Sequence, residues 1–162
     1  MSAPAALVSI ARKTAAAHSL DPSLVCAIIE QESSWNPWAI RYEPLFFAKY
    51  VAPLYTNNKV SASEAYARGF SWGLMQVMGQ VARENGYTEM FLSSLCDPSD
   101  ALEIGCRVLR KKFDAAANST VSVAQAILPA HADLTTRALL LWNGGGNPAY
   151  PVQVLARRVH YL

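Results

Sequence analysis

The chain has 162 residues, of which 52% are hydrophobic and 16% charged, and its formal net charge is +2. A chain of this length can bury one hydrophobic core, and its composition excludes intrinsic disorder, which requires low hydrophobicity and high net charge. The small positive charge is too weak for the basic surface with which nucleic-acid-binding proteins contact phosphates, so no nucleic-acid partner is expected.

Capping and turn signals predict a mostly α-helical fold of six to eight helices with at most a small β-hairpin. Two Asp-Pro pairs, at 21–22 and 97–98, are strong helix starts because the aspartate can accept a free N–H and proline needs none there. In chain order, the predicted helices run from Pro4 to His18, from Pro22 to about Ser34, from Ser61 to Gly69, from beyond Val77 to Asn85, from Pro98 to about Asn118, from Ser122 to near Pro129, from Asp133 to the glycines at 144–146, and from Pro148 onward.

Two further segments lie between these helices. Residues 36–60 form an aromatic-rich segment that we expect to be ordered, and residues 70–77 form a strand or a turn. Apolar stripes at helical spacing predict the buried faces of the long helix and of the last helix. They consist of Leu102, Cys106, Leu109 and Phe113, and of Val152, Leu155 and Val159.

The three cysteines are Cys26, Cys96 and Cys106, an odd number without C-x-x-C spacing or neighbouring histidines. This pattern indicates neither a disulfide framework nor a zinc site. We expect the three thiols to be buried in the core, and we expect no metal or other cofactor.

Glu32 differs from the other carboxylates, most of which are expected at caps and exposed helix faces. At 100° per residue it falls between Ile28 and Ile29 on the apolar stripe of its helix, whereas Glu30 points away. Desolvation there would raise the pKa of the carboxyl and keep a proton available near neutral pH. That is what a general acid needs to protonate a glycosidic oxygen. A buried structural glutamate paired with an arginine or a backbone amide would fit the same pattern.

Three short segments together resemble one enzyme family. Residues 31–37, QESSWNP, resemble the E-S-x-x-N-P signature of soluble lytic transglycosylases and the related goose-type lysozymes. Residues 73–78, GLMQVM, resemble the family's G-L-M-Q-I-M segment, and residues 142–145, WNGG, resemble its Y-N-A-G. The pieces occur in the family's order and span roughly residues 20–155, with residues 102–109 where the next long helix would lie.

The resemblance implies a lysozyme-like fold, here one catalytic domain over residues 1–162, and a groove for peptidoglycan glycan strands. It also implies cleavage of the β-1,4 bond between N-acetylmuramic acid and N-acetylglucosamine, with Glu32 matching the catalytic acid. The expected substrate-binding residues are Ser71, Gln76, Met78, Trp142, Asn143 and Tyr150. The family usually has tyrosine at the position of Trp142, so a hydroxyl that could bind the substrate or the glutamate is absent.

A second carboxylate, Glu43, follows Arg41 in the aromatic segment and precedes Pro44. Inverting glycosidases need such a group to activate water on the opposite face of the sugar. Glu43 is therefore a candidate catalytic base. Alternatively, it holds Arg41 or a backbone amide in a proline-bounded turn.

Aromatic rings stack on the apolar faces of sugars, so the tryptophans near the motifs are candidates for the groove. Trp72 and Trp142 are the better candidates because adjacent glycines let the backbone approach a ligand. Core packing is the alternative for the remaining aromatic side chains, such as Trp35.

The residues leave three functional hypotheses. The first is a lytic transglycosylase in which Glu32 makes both proton transfers and leaves 1,6-anhydromuramyl ends. The second is a hydrolytic muramidase in which Glu43 activates water. The third is a catalytically silent glycan-binding or structural module on the same fold. The expected partner is a peptidoglycan glycan strand, and the expected oligomeric state is a monomer.

At the N-terminus, basic residues follow a short apolar run, the reverse of their order in a secretory signal peptide. No run approaches the roughly twenty apolar residues of a membrane span. We therefore expect a protein that is made in the cytoplasm without a signal peptide and acts on the bacterial cell wall. A bacteriophage endolysin, which reaches the wall through a membrane hole or by injection, fits this expectation.

Overall fold

A computed structural model of the chain describes residues 3–118 and 132–162. Its α-helices are α1 (Ala5–Ala17), α2 (Pro22–Ser33), α3 (Pro44–Phe46), α4 (Ala52–Thr56), α5 (Ala62–Arg68), α6 (Gly79–Glu84), α7 (Pro98–Ala117), α8 (Leu134–Trp142) and α9 (Tyr150–Arg158). A π-helical turn covers Phe47–Val51, and 3₁₀ turns cover Leu92–Cys96 and Val159–Tyr161. The strands are β1 (Ile40–Tyr42), β2 (Phe70–Trp72) and β3 (Val77–Met78).

Three helices begin at the aspartates that the capping signals predict. A carboxylate oxygen of Asp21 accepts from the backbone N–H of Ser23 at 2.8 Å, and Asp97 caps α7 in the same way. Asp133 accepts from the N–H of Thr136 at 3.0 Å and starts α8. These side chains satisfy N–H groups that the first turn of a helix leaves unpaired. The predicted helix from Ser122 to Pro129 lies outside the described residues.

The core lies around α2 and α7. Helix α2 packs against α1 and α9, while α7 packs against α1 and α8. Every residue of α2 from Ser23 to Ile29 is buried, as is most of the predicted stripe of α7. All three cysteines are free thiols and buried, as expected. The fold is mostly α-helical, which confirms the predicted class.

The three strands form one antiparallel sheet in the order β1-β2-β3, so a strand from the aromatic segment adds to the predicted hairpin. In the register, Arg41 lies opposite Ser71, and Ser71 lies opposite Met78. Directly paired residues in adjacent strands project to the same face of a sheet. These three side chains therefore form a row across one face.

The last helix differs from its prediction. It begins at Tyr150 rather than Pro148, because the side chain of Asn147 accepts from the N–H of Ala149 and forms a turn first. The buried residues are Tyr150, Pro151 and Val154, whereas Val152 and Val159 of the predicted stripe are 71% and 62% exposed. In the described residues, no helix combines the length and apolar character needed to cross a membrane.

Candidate active site

A cleft of about 330 Å³ lies where the C-terminal end of α2, the sheet, α7 and the end of α8 meet. Most of the predicted site residues line it, and Tyr150 does not. The lining residues are Glu32, Arg41, Glu43, Phe46, Ser71, Gln76, Val77, Met78, Val81, Val108, Lys112, Trp142 and Asn143. Segments distant in the sequence thus converge on one cleft that contains two carboxyl groups, Glu32 and Glu43.

The end of α2 fixes the position of Glu32. The hydroxyl of Ser33 donates to the carbonyl of Leu74 at 2.9 Å, which ties the last helical turn to the loop between β2 and β3. Ser34 then adopts the left-handed conformation, with φ of 51°, and ends the helix. Glu32 therefore sits in the last turn of a helix whose end is bonded to the cleft wall.

The loop at residues 73–76 is itself tightly held. Gly73 has φ of +65°, and a methyl group added there would lie 2.1 Å from the carbonyl oxygen of Leu95. The amide nitrogen of Gln76 donates to the carbonyls of Ala39 and Gly73, at 2.9 Å each, while its oxygen accepts from the hydroxyl of Ser71 at 2.8 Å. The polar atoms of Gln76 and Ser71 are thus engaged within the protein, where they shape the wall of the cleft.

Glu32 accepts two hydrogen bonds on the same oxygen, Oε1. The indole Nε1 of Trp142 donates at 3.0 Å and the hydroxyl of Tyr150 at 2.5 Å. Burial raises the pKa of Glu32, and these two donors together with the charge of Arg41 oppose that rise only in part. The carboxyl therefore keeps its proton to a higher pH than an exposed glutamate does.

These contacts revise the role expected at two positions. The family usually has a tyrosine at position 142, and this chain lacks its hydroxyl. The indole N–H of Trp142 takes its place as a donor, because it bonds to Glu32 directly. Tyr150 is 4% exposed and lies outside the cleft lining, with its hydroxyl on Glu32. The geometry thus gives Tyr150 a contact with the carboxyl group rather than a place in the cleft wall.

Glu43 lines the same cleft and forms an ion pair with Arg41, whose Nε lies 2.5 Å from its Oε1. This is the contact expected if Glu43 has a structural role. Arg41 belongs to the row of side chains set by the sheet register, so its partner Glu43 is held beside the face of the sheet that lines the cleft.

The other tryptophans do not line the cleft. Trp72 is half-buried and donates its indole N–H to the carbonyl of Ala67 at 2.9 Å, so the expectation that it reaches the groove is wrong. Trp35 is buried and donates to the hydroxyl of Tyr161 at 2.8 Å. Both rings pack within the fold because tertiary contacts satisfy their N–H groups there.

Several lining residues were not predicted. Val108 and Lys112 lie four residues apart on α7 and therefore share one face of it, beside the buried stripe. Phe46 comes from the aromatic segment, in which no periodicity distinguishes one ring from another. Among residues 3–118 and 132–162, no three His, Cys, Asp or Glu side chains are grouped so that they could hold a metal ion.

Comparison with protein-family models gives a match to the transglycosylase SLT domain over residues 9–128. The chain belongs to the transglycosylase SLT domain family. Members of this family cleave the glycosidic bonds of peptidoglycan, so the protein is a peptidoglycan-cleaving enzyme that acts on the cell wall. Comparison with curated proteins and with solved structures gives no match.

The SLT match covers Glu32, the sheet and α7, but it ends before Trp142 and Tyr150. Both donors to Glu32 therefore come from the part of the chain beyond the matched residues. Their contacts are visible only in the tertiary structure, where α8 and α9 pack against the core.

Proposed function

We propose that the protein is a lytic transglycosylase in which Glu32 serves as both acid and base. It would cleave the β-1,4 bond between N-acetylmuramic acid and N-acetylglucosamine and leave a 1,6-anhydromuramyl end. The observation that carries the proposal is the state of Glu32: a carboxyl in the cleft whose pKa is raised by burial and whose orientation is fixed by two donors on one oxygen.

In the first step, neutral Glu32 gives its proton to the bridging oxygen as the C1–O bond breaks and positive charge develops on the muramyl C1. Trp142 and Tyr150 both donate to Oε1, so Oε2 is the oxygen that carries the proton. The same donors stabilise the carboxylate that remains, because hydrogen bonds to the charged form favour it.

In the second step, the Glu32 carboxylate takes the proton of the muramyl C6 hydroxyl while that oxygen bonds to C1. The ring closes, the glutamic acid is restored, and no water is consumed. One residue suffices for both transfers, which agrees with a cleft in which the other carboxylate, Glu43, is bound to Arg41.

Hydrolysis is the second candidate because Glu43 lines the same cleft as Glu32 and could activate water. The ion pair with Arg41 favours a structural role for Glu43. The two reactions differ in product: hydrolysis leaves a reducing muramyl end, whereas ring closure leaves an end lighter by one water.

Mass spectrometry of the fragments released from purified glycan strands tests the proposal. We expect anhydro ends from the wild type, and a loss of about a hundredfold or more in rate for Glu32→Gln. Glu30→Gln, on the same helix but outside the cleft, is the matched control and should stay active, as should Glu43→Gln. Reducing ends that disappear in Glu43→Gln would establish the hydrolase, and full activity of Glu32→Gln would refute the role of Glu32.

The expectations of a monomer and of a phage endolysin stay predictions. The first is checked by the mass of the purified protein in solution by light scattering. The second is checked by whether expression together with a membrane-permeabilising protein causes lysis of the host cell.

A further inference from the structure

The part of the cleft wall formed by α7 carries a cation, Lys112, one helical turn beyond Val108. Side chains four residues apart lie on the same face of a helix, so the stem of Lys112 follows the cleft. The neighbouring Lys111 is exposed and is not a lining residue. Of this lysine pair, the fold thus places Lys112 in the cleft lining and leaves Lys111 exposed outside it.

No carboxylate of the described residues forms an ion pair with Lys112. The remaining residues, 1–2 and 119–131, contain neither aspartate nor glutamate. The second cation of the cleft, Arg41, is paired with Glu43. Arg41 therefore has an ion-pair partner in the cleft, whereas Lys112 has none among the described residues.

Lys112 is half-buried, and burial lowers its pKa. Holding an ammonium in a partly desolvated position without a counter-charge costs folding free energy. An anion bound in the cleft would offset that cost by supplying the missing charge. A desolvated titratable group in a cleft is thus a candidate for ligand binding.

We propose that Lys112 binds a carboxylate of the glycan substrate, so that the cleft selects strands with acidic substituents over neutral ones. This rests on the proposed function, since the ligand is a peptidoglycan strand lying in the cleft. The muramyl lactyl group is amide-linked to a peptide that bears free carboxylates, and it ends in a carboxylate itself once the peptide is removed. Either source gives Lys112 a charge-assisted hydrogen bond.

Isothermal titration calorimetry tests this with three ligands of equal length: peptide-bearing strands, strands freed of peptide by an amidase, and a neutral chitin oligosaccharide. Glu32→Gln is the parent protein, so that no ligand is cleaved. Adding Lys112→Gln should weaken binding of at least one of the two acidic ligands, the peptide-bearing or the amidase-treated strands, about tenfold and leave chitin binding unchanged within about twofold. Lys111→Gln is the matched control and should bind like the parent, and Lys112→Arg should retain binding because it keeps the charge.

A loss confined to peptide-bearing strands assigns the carboxylate to the peptide, and a loss confined to amidase-treated strands assigns it to the lactyl group. A loss for both acidic ligands shows that Lys112 binds either carboxylate. Equal losses for all three ligands, no loss for any, or a parent that binds no strand would overturn the proposal. Because binding is measured without turnover, its outcome is separate from that of the cleavage assay. A wild type that leaves strands intact while binding depends on Lys112 would count against the proposed reaction alone.

Discussion

Opposing effects on its carboxyl group set the pKa of Glu32. Burial disfavours the carboxylate and raises its pKa, whereas the hydroxyl of Tyr150 and the indole of Trp142 favour the carboxylate and lower it. Burial prevails, so the acid is available for the first proton transfer. The two donors then stabilise the anion that this transfer produces.

Removing either donor should raise the pKa of Glu32 further. Activity that needs the protonated acid falls as the pH rises through this pKa, so Tyr150→Phe and Trp142→Phe should each move the alkaline limb of the kcat/KM profile to higher pH. We also expect kcat to fall about tenfold, because the carboxyl loses a contact that orients it. Tyr161→Phe is the control, since that hydroxyl donates to Glu30 instead. A limb that stays in place or moves to lower pH would contradict this account.

The raised pKa of Glu32 also affects stability. The folded state retains the proton above 4.5, the ordinary value, where the unfolded chain releases it, so stability falls as the pH rises through this range. Glu32→Gln removes the cost of the buried charge and still accepts both hydrogen bonds. It should therefore unfold at a higher urea concentration than the wild type at pH 7, and the gain should vanish near pH 4. Destabilisation at pH 7, or a gain independent of pH, would count against a burial-driven shift.

At the scale of elements, the loop between β2 and β3 is wedged between two helices. Ser33 bonds it to the end of α2, and Met75 packs against Gly105 of α7 so closely that a methyl group there would meet the Met75 sulfur at 2.2 Å. The loop thus sets the distance between the helix that carries Glu32 and the helix that carries Lys112.

Gly73→Ala should disturb this loop strongly. The substitution would place a methyl group 2.1 Å from a backbone carbonyl at a φ of +65°, and we expect a loss of about 3 kcal/mol in the free energy of unfolding. Gly144→Ala is the matched control: its φ is +68°, but nothing lies within 4 Å, so about 1 kcal/mol is expected from the backbone conformation alone. Urea denaturation measures both, and equal losses would show that steric overlap at Gly73 is unimportant.

At the scale of the whole molecule, ion pairs join segments that are distant in the chain. Arg158 bonds to Asp21 and thereby ties the end of α9 to the start of α2. Glu64 accepts from Arg68 and Arg83, 2.8 Å from the Nε of each, and so joins α5 to α6. Burial by itself would raise the pKa of Glu64, but the hydrogen bonds and charges of these arginines outweigh it and hold the pKa below its ordinary value.

The linkage at Glu64 has the opposite sign to that at Glu32. Its stabilisation is present above the unfolded value of 4.5 and is lost as the pH falls through the lower pKa of the folded state. Glu64→Gln should thus cost about 2 kcal/mol at pH 7, and its difference from the wild type should shrink in acid. Asp114→Asn, which removes an exposed pair with Arg110, should cost little at either pH. A cost at Glu64 that does not change with pH would exclude the ion pairs as its source.

Local signals in the sequence were sufficient to predict most helix boundaries and the position of Glu32 on the apolar stripe of its helix. Asp21, Asp97 and Asp133 cap helices in the structure because capping involves only neighbouring backbone groups. The position of Glu32 on the apolar stripe follows from helical periodicity within a few residues. The buried face of α9 could not be predicted in the same way, since its packing against α2 and α8 decides that Tyr150, Pro151 and Val154 are buried.

The sequence by itself thus determined the mostly helical class, the family and the carboxyl group at the end of α2, because each depends on short-range pattern. Only the tertiary structure decided what surrounds that carboxyl. Its donors Trp142 and Tyr150 lie 110 and 118 residues away, and the sheet register and helix packing bring Arg41 and Lys112 into the same cleft. Contacts across such separations depend on how whole elements pack, and no local signal encodes them.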